Sequence, residues 1–451
     1  MNSRIRKSVH ITNYYHKNSG GISTSFNNLM AAAERLQRQI RVIVPGEREA
    51  VEDVNAYCRL YYLPAEYSPI FDKRYRLILP WQYIPGDSLL RKILMDEMPD
   101  MIEVTDKYTL SMLGAMIRIG KFKQLERPML VHFSAERMDD NVASFLSNSS
   151  WGNWLAKRVM SNYLLPTFDF HIANSSYTAE EFHSAIDGRG RNSLFINKCW
   201  RWLRATMIPP AERISVCPRG VNSEHFRPDR KSERVRAEMR ERAGLPSDST
   251  VLLYAGRISP EKNVELLVDM MAVLSRDRTR DFRLIVAGAG PKAEWLSEQA
   301  ALNCGDKIIQ VGHLDKEQLA DYYANADVFV HPNPREPFGI APLEAMASGA
   351  PTVAPNSGGI LSYATDENCW LTKPDGTSFA SAVRDVIDNP EISARKIDAA
   401  IATARANSRE RSTDNLFATY DRMYEDFLSR RPLFTDTDRS KNFDFVKYLG
   451  I

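Results

Sequence analysis

Short apolar runs alternate with amphipathic segments along most of the chain, and this alternation predicts its secondary structure. In the first half, apolar runs predict strands at residues 8–12, 40–44, 101–105, 128–133, 169–174 and 214–217. Helical periodicity predicts helices between them, at residues 22–38, 110–119 and 151–165. Residues 47–99, rich in Tyr and Pro, predict no definite topology.

The second half repeats the alternation. Strands are predicted at residues 251–255, 282–290, 308–311, 327–331 and 351–354, the second of them running into a glycine turn. Helices are predicted at residues 264–274, 317–324, 379–387, 392–406 and 415–428. Strands alternating with helices are typical of parallel, doubly wound α/β sheets.

The length of the chain predicts two domains, because 451 residues exceed what one ordinary core holds together. A charged run at residues 229–242 and the turn sequence GLPSDST mark the boundary between them. We therefore expect a first domain at residues 1–225, a second at residues 226–430, and a polar, loosely held C-terminal tail at residues 431–451.

Composition excludes several classes of protein. The net charge of +2 gives no general attraction to nucleic acid, so no nucleic-acid partner is expected. No stretch reaches the roughly 18 apolar residues of a membrane span, and the first residues do not read as a signal peptide. The five cysteines lack the paired spacing of a disulfide framework or a zinc site. These features predict a cytoplasmic protein.

Two glutamates, Glu336 and Glu344, flank a loop that leads into a helix. Pro337 and Gly339 exclude regular helix through the loop, so the helix is expected to begin near Ala341. Two ionised carboxylates at this separation are suited to two sets of hydroxyl groups on one ligand. The alternative for Glu344 is a charge placed in a first helical turn for the helix dipole alone.

The start of this helix predicts an anion site. Its free N–H groups belong to Phe338, Gly339 and Ile340, and backbone donors at a helix N-terminus suit a phosphate. A second source of positive charge follows the strand at residues 251–255, where Gly256 precedes Arg257 and Lys262. Two cations at the ligand edge of a sheet suit phosphate oxygens, although surface Arg and Lys are also common without such a role.

The string EPFGIAPLEAMASGAPTVAP, with seven residues between Glu336 and Glu344, resembles the Glu-x7-Glu signature of retaining glycosyltransferases of family four. The string GRISPEK from Gly256 to Lys262 resembles a second motif of that family. The resemblance implies the GT-B fold, with two doubly wound Rossmann-like domains facing each other across a cleft. It also implies that the last helix crosses back onto the first domain.

The activity implied by the resemblance is transfer of a hexosyl group from a nucleoside diphosphate sugar to a hydroxyl acceptor, with retention of configuration. The acceptor is a glycan, a glycolipid or a small molecule. No metal and no cofactor are expected beyond the donor sugar nucleotide, because the two cations and the helix N-terminus already supply positive charge.

The resemblance also implies roles for individual residues. Glu344 would hold the ribose and Glu336 the donor sugar, while the diphosphate would contact Arg257, Lys262 and the backbone of Gly339 and Ile340. The predicted catalytic group is Glu336, Lys262, Arg257 and His132, the last placed near the sugar and the acceptor. The predicted donor-binding group is Glu344, Phe338, Gly339, Ile340, the Gly20–Gly21 loop, Gly256, and Ile309 at the nucleotide base.

Residues 189–208 interleave five basic residues with Trp, Leu, Ile and Phe. This composition is typical of a helix that lies on anionic lipid, and the segment is longer than the usual connection in the family. The alternative is a packed linker helix with arginines on its surface. Contact with the inner face of a membrane is therefore one expectation for this segment.

Two other functions stay open from the sequence. One is a non-hydrolysing nucleotide-sugar epimerase, which also pairs two Rossmann-like domains, but the string from Glu336 to Glu344 favours transfer. The other is an inactive sugar-nucleotide-binding subunit, against which the intact Arg257, Lys262, Glu336 and Glu344 argue.

Overall fold

The computed structural model describes residues 5–15, 21–68, 76–145, 150–186 and 193–449. The chain forms two compact units. Unit 1 is Met1–Pro218 with Thr413–Ile451, and unit 2 is Arg219–Ser412. The predicted boundary after residue 225 lies inside unit 2, because Val221 pairs with Ser408 and so joins this segment to that unit. The charged run forms a helix of unit 2.

Unit 1 alternates strands and helices as predicted. In chain order its elements are β1 (Lys7–Ile11), α1 (Gly21–Arg35), β2 (Gln39–Gly46), β3 (Ala50–Asn55), β4 (Cys58–Pro64), β5 (Glu66–Tyr67), β6 (Arg76–Leu77), α2 (Leu89–Glu97), β7 (Met101–Val104), α3 (Ser111–Arg118), β8 (Met129–Ser134), α4 (Met138–Phe145), α5 (Ser150–Val159), α6 (Leu165–Thr167), β9 (Phe170–Ala173), α7 (Ser176–Ile186), α8 (Ser193–Trp202), α9 (Pro210–Arg213) and β10 (Ile214–Val216). A π-helical turn at Met160–Leu164 joins α5 to α6.

Eight strands of unit 1 form one sheet in the order β10-β9-β8-β7-β1-β2-β4-β3. All neighbours are parallel except β3 and β4, which form an antiparallel edge that the Tyr-rich sequence did not predict. Because the chain adds strands first on one side of β1 and then on the other, the strand order reverses between β1 and β7. Open α/β sheets bind ligands at such a point, beyond the carboxyl ends of the strands.

Unit 2 contains six strands and seven α-helices within its described residues. In chain order these elements are α10 (Glu233–Arg242), β11 (Thr250–Ala255), α11 (Glu265–Leu274), β12 (Phe282–Ala287), α12 (Ala293–Cys304), β13 (Ile308–Gly312), α13 (Lys316–Asn325), β14 (Val328–Val330), α14 (Ile340–Ala347), β15 (Thr352–Pro355), β16 (Trp370–Thr372), α15 (Gly376–Asp388) and α16 (Pro390–Ala406).

The sheet of unit 2 is wholly parallel, in the order β13-β12-β11-β14-β15-β16. This is the 3-2-1-4-5-6 order of a Rossmann sheet, and it confirms the predicted doubly wound fold. The strand order reverses between β11 and β14. Both predicted motifs follow these two strands, so the topology brings them to one edge.

Four helices end the chain: α17 (Arg409–Ser429), α18 (Arg431–Thr435), α19 (Thr437–Asn442) and α20 (Phe445–Leu449). From Thr413 onward these residues belong to unit 1, where Phe417, Tyr420 and Phe427 join its core. The prediction of a loose tail at residues 431–451 is wrong, because Phe434 and Phe445 are buried in unit 1. Two widely spaced aromatic residues were too weak a pattern to reveal this packing.

The basic aromatic segment is partly described, and Arg189 and Arg191 lie outside the described residues. Its helix α8 buries Ile196 and Trp200 and leaves Phe195 and Trp202 exposed. Among the helices that the structure describes, none combines the length and apolar character needed to cross a membrane.

Candidate functional site

The loops after β11 and β14 carry the predicted charged residues of unit 2. The two strands are direct neighbours, with Leu252 opposite Val328 and Leu253 opposite Phe329. Lys262 follows β11, Glu336 follows β14, and the Lys262 Nζ donates to Oε2 of Glu336 at 2.7 Å. The sheet therefore joins two residues that are 74 positions apart in the sequence.

Three nitrogen atoms converge on the same oxygen of Glu336. Besides Lys262, Asn333 Nδ2 donates to Oε2 at 3.0 Å, and His331 Nε2 lies 3.6 Å from it. Burial raises the pKa of Glu336, but the Lys262 ammonium, His331 and these hydrogen bonds outweigh it and hold the pKa at about 2. The carboxylate is thus ionised, and no contact in the described chain occupies its Oε1.

His331 is a residue that sequence reasoning treated only as the end of a strand. It is buried, and neither ring nitrogen has a hydrogen-bond partner in the described chain. Burial lowers the pKa of His331 to about 4, although Glu336 opposes the shift, so the ring is neutral near pH 7. His331 could have been predicted as a site residue, because it is a polar residue at the carboxyl end of a strand beside the point where the strand order reverses.

Glu344 lies in α14 and contacts a residue of α13. Tyr323 donates its hydroxyl to Oε2 of Glu344 at 3.2 Å, and its ring packs edge-on against Phe226 and Phe329. Desolvation raises the pKa of Glu344 to about 7, against the opposing effect of the Tyr323 hydrogen bond. Glu336 and Glu344 therefore have very different proton affinities although one loop connects them. The sequence did not identify Tyr323.

Helix α14 begins at Ile340, one residue before the predicted start. Its N-cap residue Gly339 has φ +87, a left-handed conformation that glycine adopts readily. A Cβ there would lie 2.8 Å from the hydroxyl oxygen of Tyr363, which donates to the Gly339 carbonyl. The side chain of Phe338 is buried against Tyr363, so the predicted contribution of Phe338 to a ligand is limited to its backbone.

The loop after β11 is packed tightly against the next loop. A Cβ on Gly288 would lie 1.9 Å from the carbonyl oxygen of Gly256, so glycine is required at this approach. Tyr254 donates its hydroxyl to the carbonyl of Arg257 at 2.8 Å, and the Arg257 guanidinium lies 3.5 Å from Glu261. Arg257 is therefore at the same sheet edge as Lys262 but is paired with a different acid.

Two predicted donor-binding positions, the backbone at Ile309 and the Gly20–Gly21 loop, stay predictions. Ile309 lies within the edge strand β13, paired with Ile285, and its side chain packs against the core of unit 2. Gly312 and the loop beyond it, not Ile309, end this strand at the ligand edge. Gly21 is the first residue of α1 in unit 1, and Gly20 lies outside the described residues.

His132 does not lie at the end of its strand as expected, and its role near the sugar and the acceptor stays a prediction. β8 continues to Ser134, so His132 lies inside the strand, fully buried between Phe168 and Phe182. Its Nδ1 lies 3.4 Å from Nδ1 of His171, and burial lowers its pKa far below the usual range. Strand periodicity alone did not show that a helix covers this face.

The ligand edge of unit 1 instead carries a polar cluster that the sequence reasoning largely missed. Beside the reversal point, Asn13 donates to Asp106 at 3.3 Å. Lys107 donates to Glu181 at 2.5 Å and to the backbone carbonyl of Glu136. Burial raises the pKa of Glu136. These groups are buried and are hydrogen-bonded to one another, so they form a polar network at this edge of the sheet.

The predictions included no metal site. Among the described residues, no group of three or more His, Cys, Asp or Glu side chains is arranged to hold a metal ion. The residues of the unit 2 site fit an anion better than a cation, because Lys262 and the N-terminus of α14 supply positive charge there.

Two family models match the two halves of the chain. The model described as glycosyl transferase 4-like domain matches residues 20–194, and the model described as glycosyl transferases group 1 matches residues 235–403. The second match spans the strands and loops that carry Lys262, Glu336 and Glu344.

Curated relatives show the same similarity. A GDP-mannose-dependent α-(1-6)-phosphatidylinositol dimannoside mannosyltransferase from Mycobacterium tuberculosis is 27% identical over 386 residues, which cover 85% of this chain and 88% of that protein. A D-inositol 3-phosphate glycosyltransferase from Streptomyces coelicolor is 34% identical over 214 residues, which cover 43% of this chain and 47% of that protein.

Among solved structures, sucrose-phosphate synthase from Thermosynechococcus elongatus superposes with a TM-score of 0.68 and 20% identity. The match covers 93% of this chain and 99% of that one. At this identity the likeness concerns the fold.

Proposed function

We propose that the donor sugar nucleotide binds between the loops after β11 and β14. The proposal starts from the family: the chain belongs to the GT-B glycosyltransferases of family four and is a hexosyltransferase that uses a nucleotide sugar. The observation that carries this proposal is the Lys262–Glu336 pair at the reversal point of the unit 2 sheet, beside the N-terminus of α14. The diphosphate contacts Lys262, Arg257 and the N–H groups of Gly339 and Ile340. Oε1 of Glu336 accepts hydrogen bonds from the hexose, and Glu344 accepts them from the ribose.

GDP-mannose is the donor to test first. The name of the mycobacterial relative specifies GDP-mannose as donor and a phosphatidylinositol dimannoside as acceptor. We extend both classes to this chain: a GDP-linked hexose is the donor, and a glycolipid with free sugar hydroxyls is the acceptor.

The proposed reaction retains the anomeric configuration. The bond between the hexose C1 and the diphosphate oxygen breaks, and a bond from C1 to the acceptor oxygen forms on the same face. The acceptor proton passes to the departing phosphate oxygen, whose negative charge Lys262 and Arg257 stabilise. Glu336 stays ionised throughout, because the pKa of its carboxyl is held at about 2.

The reaction needs no divalent metal in this proposal, since side-chain cations and a helix N-terminus balance the diphosphate charge. Turnover in excess EDTA should equal turnover in magnesium. A loss that magnesium restores would contradict this part of the proposal.

The decisive experiment measures GDP release from GDP-mannose with and without a phosphatidylinositol mannoside acceptor. We expect release only with the acceptor, whereas an epimerase would convert the sugar nucleotide without one.

Lys262→Ala and Glu336→Gln should each lower kcat by roughly 100-fold or more, while the circular dichroism spectrum of the folded protein is unchanged. Lys373→Ala, an exposed lysine of the same unit, is the control and should retain full activity. Near-normal rates for either site variant would refute the assignment.

We also propose that residues 189–208 contact the cytoplasmic face of a membrane, where a lipid-linked acceptor would lie. The exposed Phe195 and Trp202 on α8 support this contact. Sedimentation with anionic vesicles at low salt tests it, and a chain that stays in the supernatant would refute it.

A further inference from the structure

Two helices of unit 1 each carry large apolar side chains on an exposed face. On α8, Phe195, Cys199 and Trp202 recur at helical spacing, and Phe195 and Trp202 are 48% and 65% exposed. On α5, Trp151 and Trp154 are 62% and 51% exposed. Single exposed apolar residues are ordinary, but four such aromatic side chains on two helices indicate an interaction surface.

An apolar groove of about 310 Å³ lies between α5 and α8. Val159 and Asn162 line one side of it, and Phe195, Cys199 and Trp202 line the other. Its surface is almost entirely apolar, and its volume is at the lower end of the range for ligand pockets. A narrow apolar groove of this size suits a hydrocarbon chain better than a sugar or a nucleotide.

The groove is held open by the packing of α8. The indole nitrogen of Trp200 donates to the carbonyl of Ser161 in the π-helical turn at 2.8 Å, and Trp200 and Ile196 are buried. This buried face fixes the rotation of α8 about its axis. Phe195 and Trp202 consequently remain outward, along the groove, without help from a ligand.

The charges around the groove favour an anion. Arg158 lines it and stacks over the ring of Trp154, with 5.2 Å from the guanidinium carbon to the ring centroid. In the part of the chain that the structure describes, Arg158, Lys157 and Lys198 form no ion pair with an acidic residue. Basic groups beside exposed tryptophans are complementary to the headgroup of an anionic lipid.

We propose that the groove between α5 and α8 binds the hydrocarbon chain of an anionic lipid. Arg158 contacts the phosphate, and Phe195 and Trp202 cover the chain. This proposal rests on the proposed membrane contact, which would supply the lipid. It differs from that contact because one lipid molecule binds in a defined groove of the protein.

The probe is monomeric myristoyl lysophosphatidylglycerol below its micelle concentration, titrated into the full chain by calorimetry. We expect saturable binding of one molecule per chain. Cys199→Phe fills the groove without changing charge and should weaken binding at least tenfold. Leu302→Phe places the same ring at an exposed site of unit 2 and should leave binding unchanged. Arg158→Gln should weaken binding several-fold and reduce its dependence on salt.

Several results would overturn the proposal. Cys199→Phe binding as tightly as wild type would show that the chain does not enter the groove. Equal affinity for glycerol 3-phosphate would show that only the headgroup is recognised. Self-association that Trp202→Ser abolishes would assign the surface to a second copy of the chain.

The same preparation is titrated with GDP-mannose, so that failure of this proposal is distinguished from failure of the proposed donor site. A chain that binds GDP-mannose but no lysolipid overturns the groove alone. A chain that binds the lysolipid but no sugar nucleotide supports the groove and overturns the donor site.

Discussion

Single residues around the unit 2 site are held in contrasting protonation states. The pKa of Glu336 is about 2, because Lys262, His331 and Asn333 all contact one of its oxygens. The pKa of Glu344 is about 7, because one tyrosine hydroxyl does not offset its desolvation. Near pH 7, Glu336 is thus ionised, and of these two carboxylates only Glu344 changes its charge in that pH range.

Donor affinity should therefore rise with pH. Only the ionised form of Glu344 accepts hydrogen bonds from both hydroxyls of a ribose, and ionisation increases as pH rises through about 7. Between pH 6 and pH 8 the dissociation constant for GDP should fall roughly tenfold. Titration calorimetry with GDP checks this, and an affinity independent of pH over that range would contradict the role of Glu344.

Tyr323→Phe should shift the rise in GDP affinity to higher pH. The tyrosine hydroxyl stabilises the carboxylate, so its removal raises the pKa of Glu344 further and weakens GDP binding most at neutral pH. Affinity should recover at pH 8.5. A uniform loss at every pH would indicate a change in packing instead, because the ring also contacts Phe226 and Phe329.

Asn333→Asp should impair transfer more than folding. The substitution removes the donor to Oε2 of Glu336 and places a second negative charge 3.0 Å from it. We expect kcat/KM to fall roughly 10- to 100-fold, as for loss of a hydrogen bond to a charged group. Asn389→Asp is the control, because it likewise removes an amide donor to a carboxylate, that of Asp385, but outside the site. Unchanged kinetics for Asn333→Asp would show that Glu336 needs no such support.

At the scale of elements, the start of α14 depends on the conformation of one residue. Gly339→Ala must adopt φ near +87 and also displace the hydroxyl of Tyr363, whose oxygen would lie 2.8 Å from the new Cβ. Gly312→Ala is a matched control, because φ is +75 there and nothing lies within 4 Å of the new Cβ.

Gly312→Ala should cost about 1 kcal/mol of unfolding free energy and Gly339→Ala about 2 to 3 kcal/mol, the difference being the steric contact. Chemical denaturation measures both. Equal losses would mean that Tyr363 moves away freely, and combining Gly339→Ala with Tyr363→Phe should recover part of the loss.

At the scale of the whole molecule, the C-terminal helices are a part of unit 1. Tyr420 of α17 donates to Glu103, which also contacts His10, so one buried network joins this helix to β1 and β7. Phe445 of α20 is buried against Trp200 of α8. Residues near the end of the chain thus support the sheet and the groove of unit 1.

Phe445→Ala should destabilise unit 1 by about 3 to 5 kcal/mol, as expected for a fully buried ring. Tyr448→Ala, three residues on and 43% exposed, should have a much smaller effect. Chemical denaturation followed by tryptophan fluorescence checks both. A loss in Phe445→Ala no larger than in Tyr448→Ala would restore the interpretation of this segment as a tail.

Much of the fold was readable from local patterns. Apolar runs and helical spacing predicted the central strands of both sheets, and the start of α14 was placed within one residue. The antiparallel β3–β4 edge was not predicted, because β3 is mostly exposed, with polar residues at half of its positions, and β4 has no long apolar run. His132 lies inside β8 and not at its end, because the strand continues to Ser134 and local periodicity does not fix strand ends.

The sequence by itself determined the two α/β units, the family, and the loops that carry Lys262, Glu336 and Glu344, because these depend on residues close together in the chain. The catalytic roles of those residues stay predictions. Only the tertiary structure decided which groups meet. The order of strands joins Lys262 to Glu336, places His331 and Tyr323 beside the two carboxylates, and sets their pKa values through burial. Such contacts depend on chain segments far apart in sequence, and local patterns do not encode them.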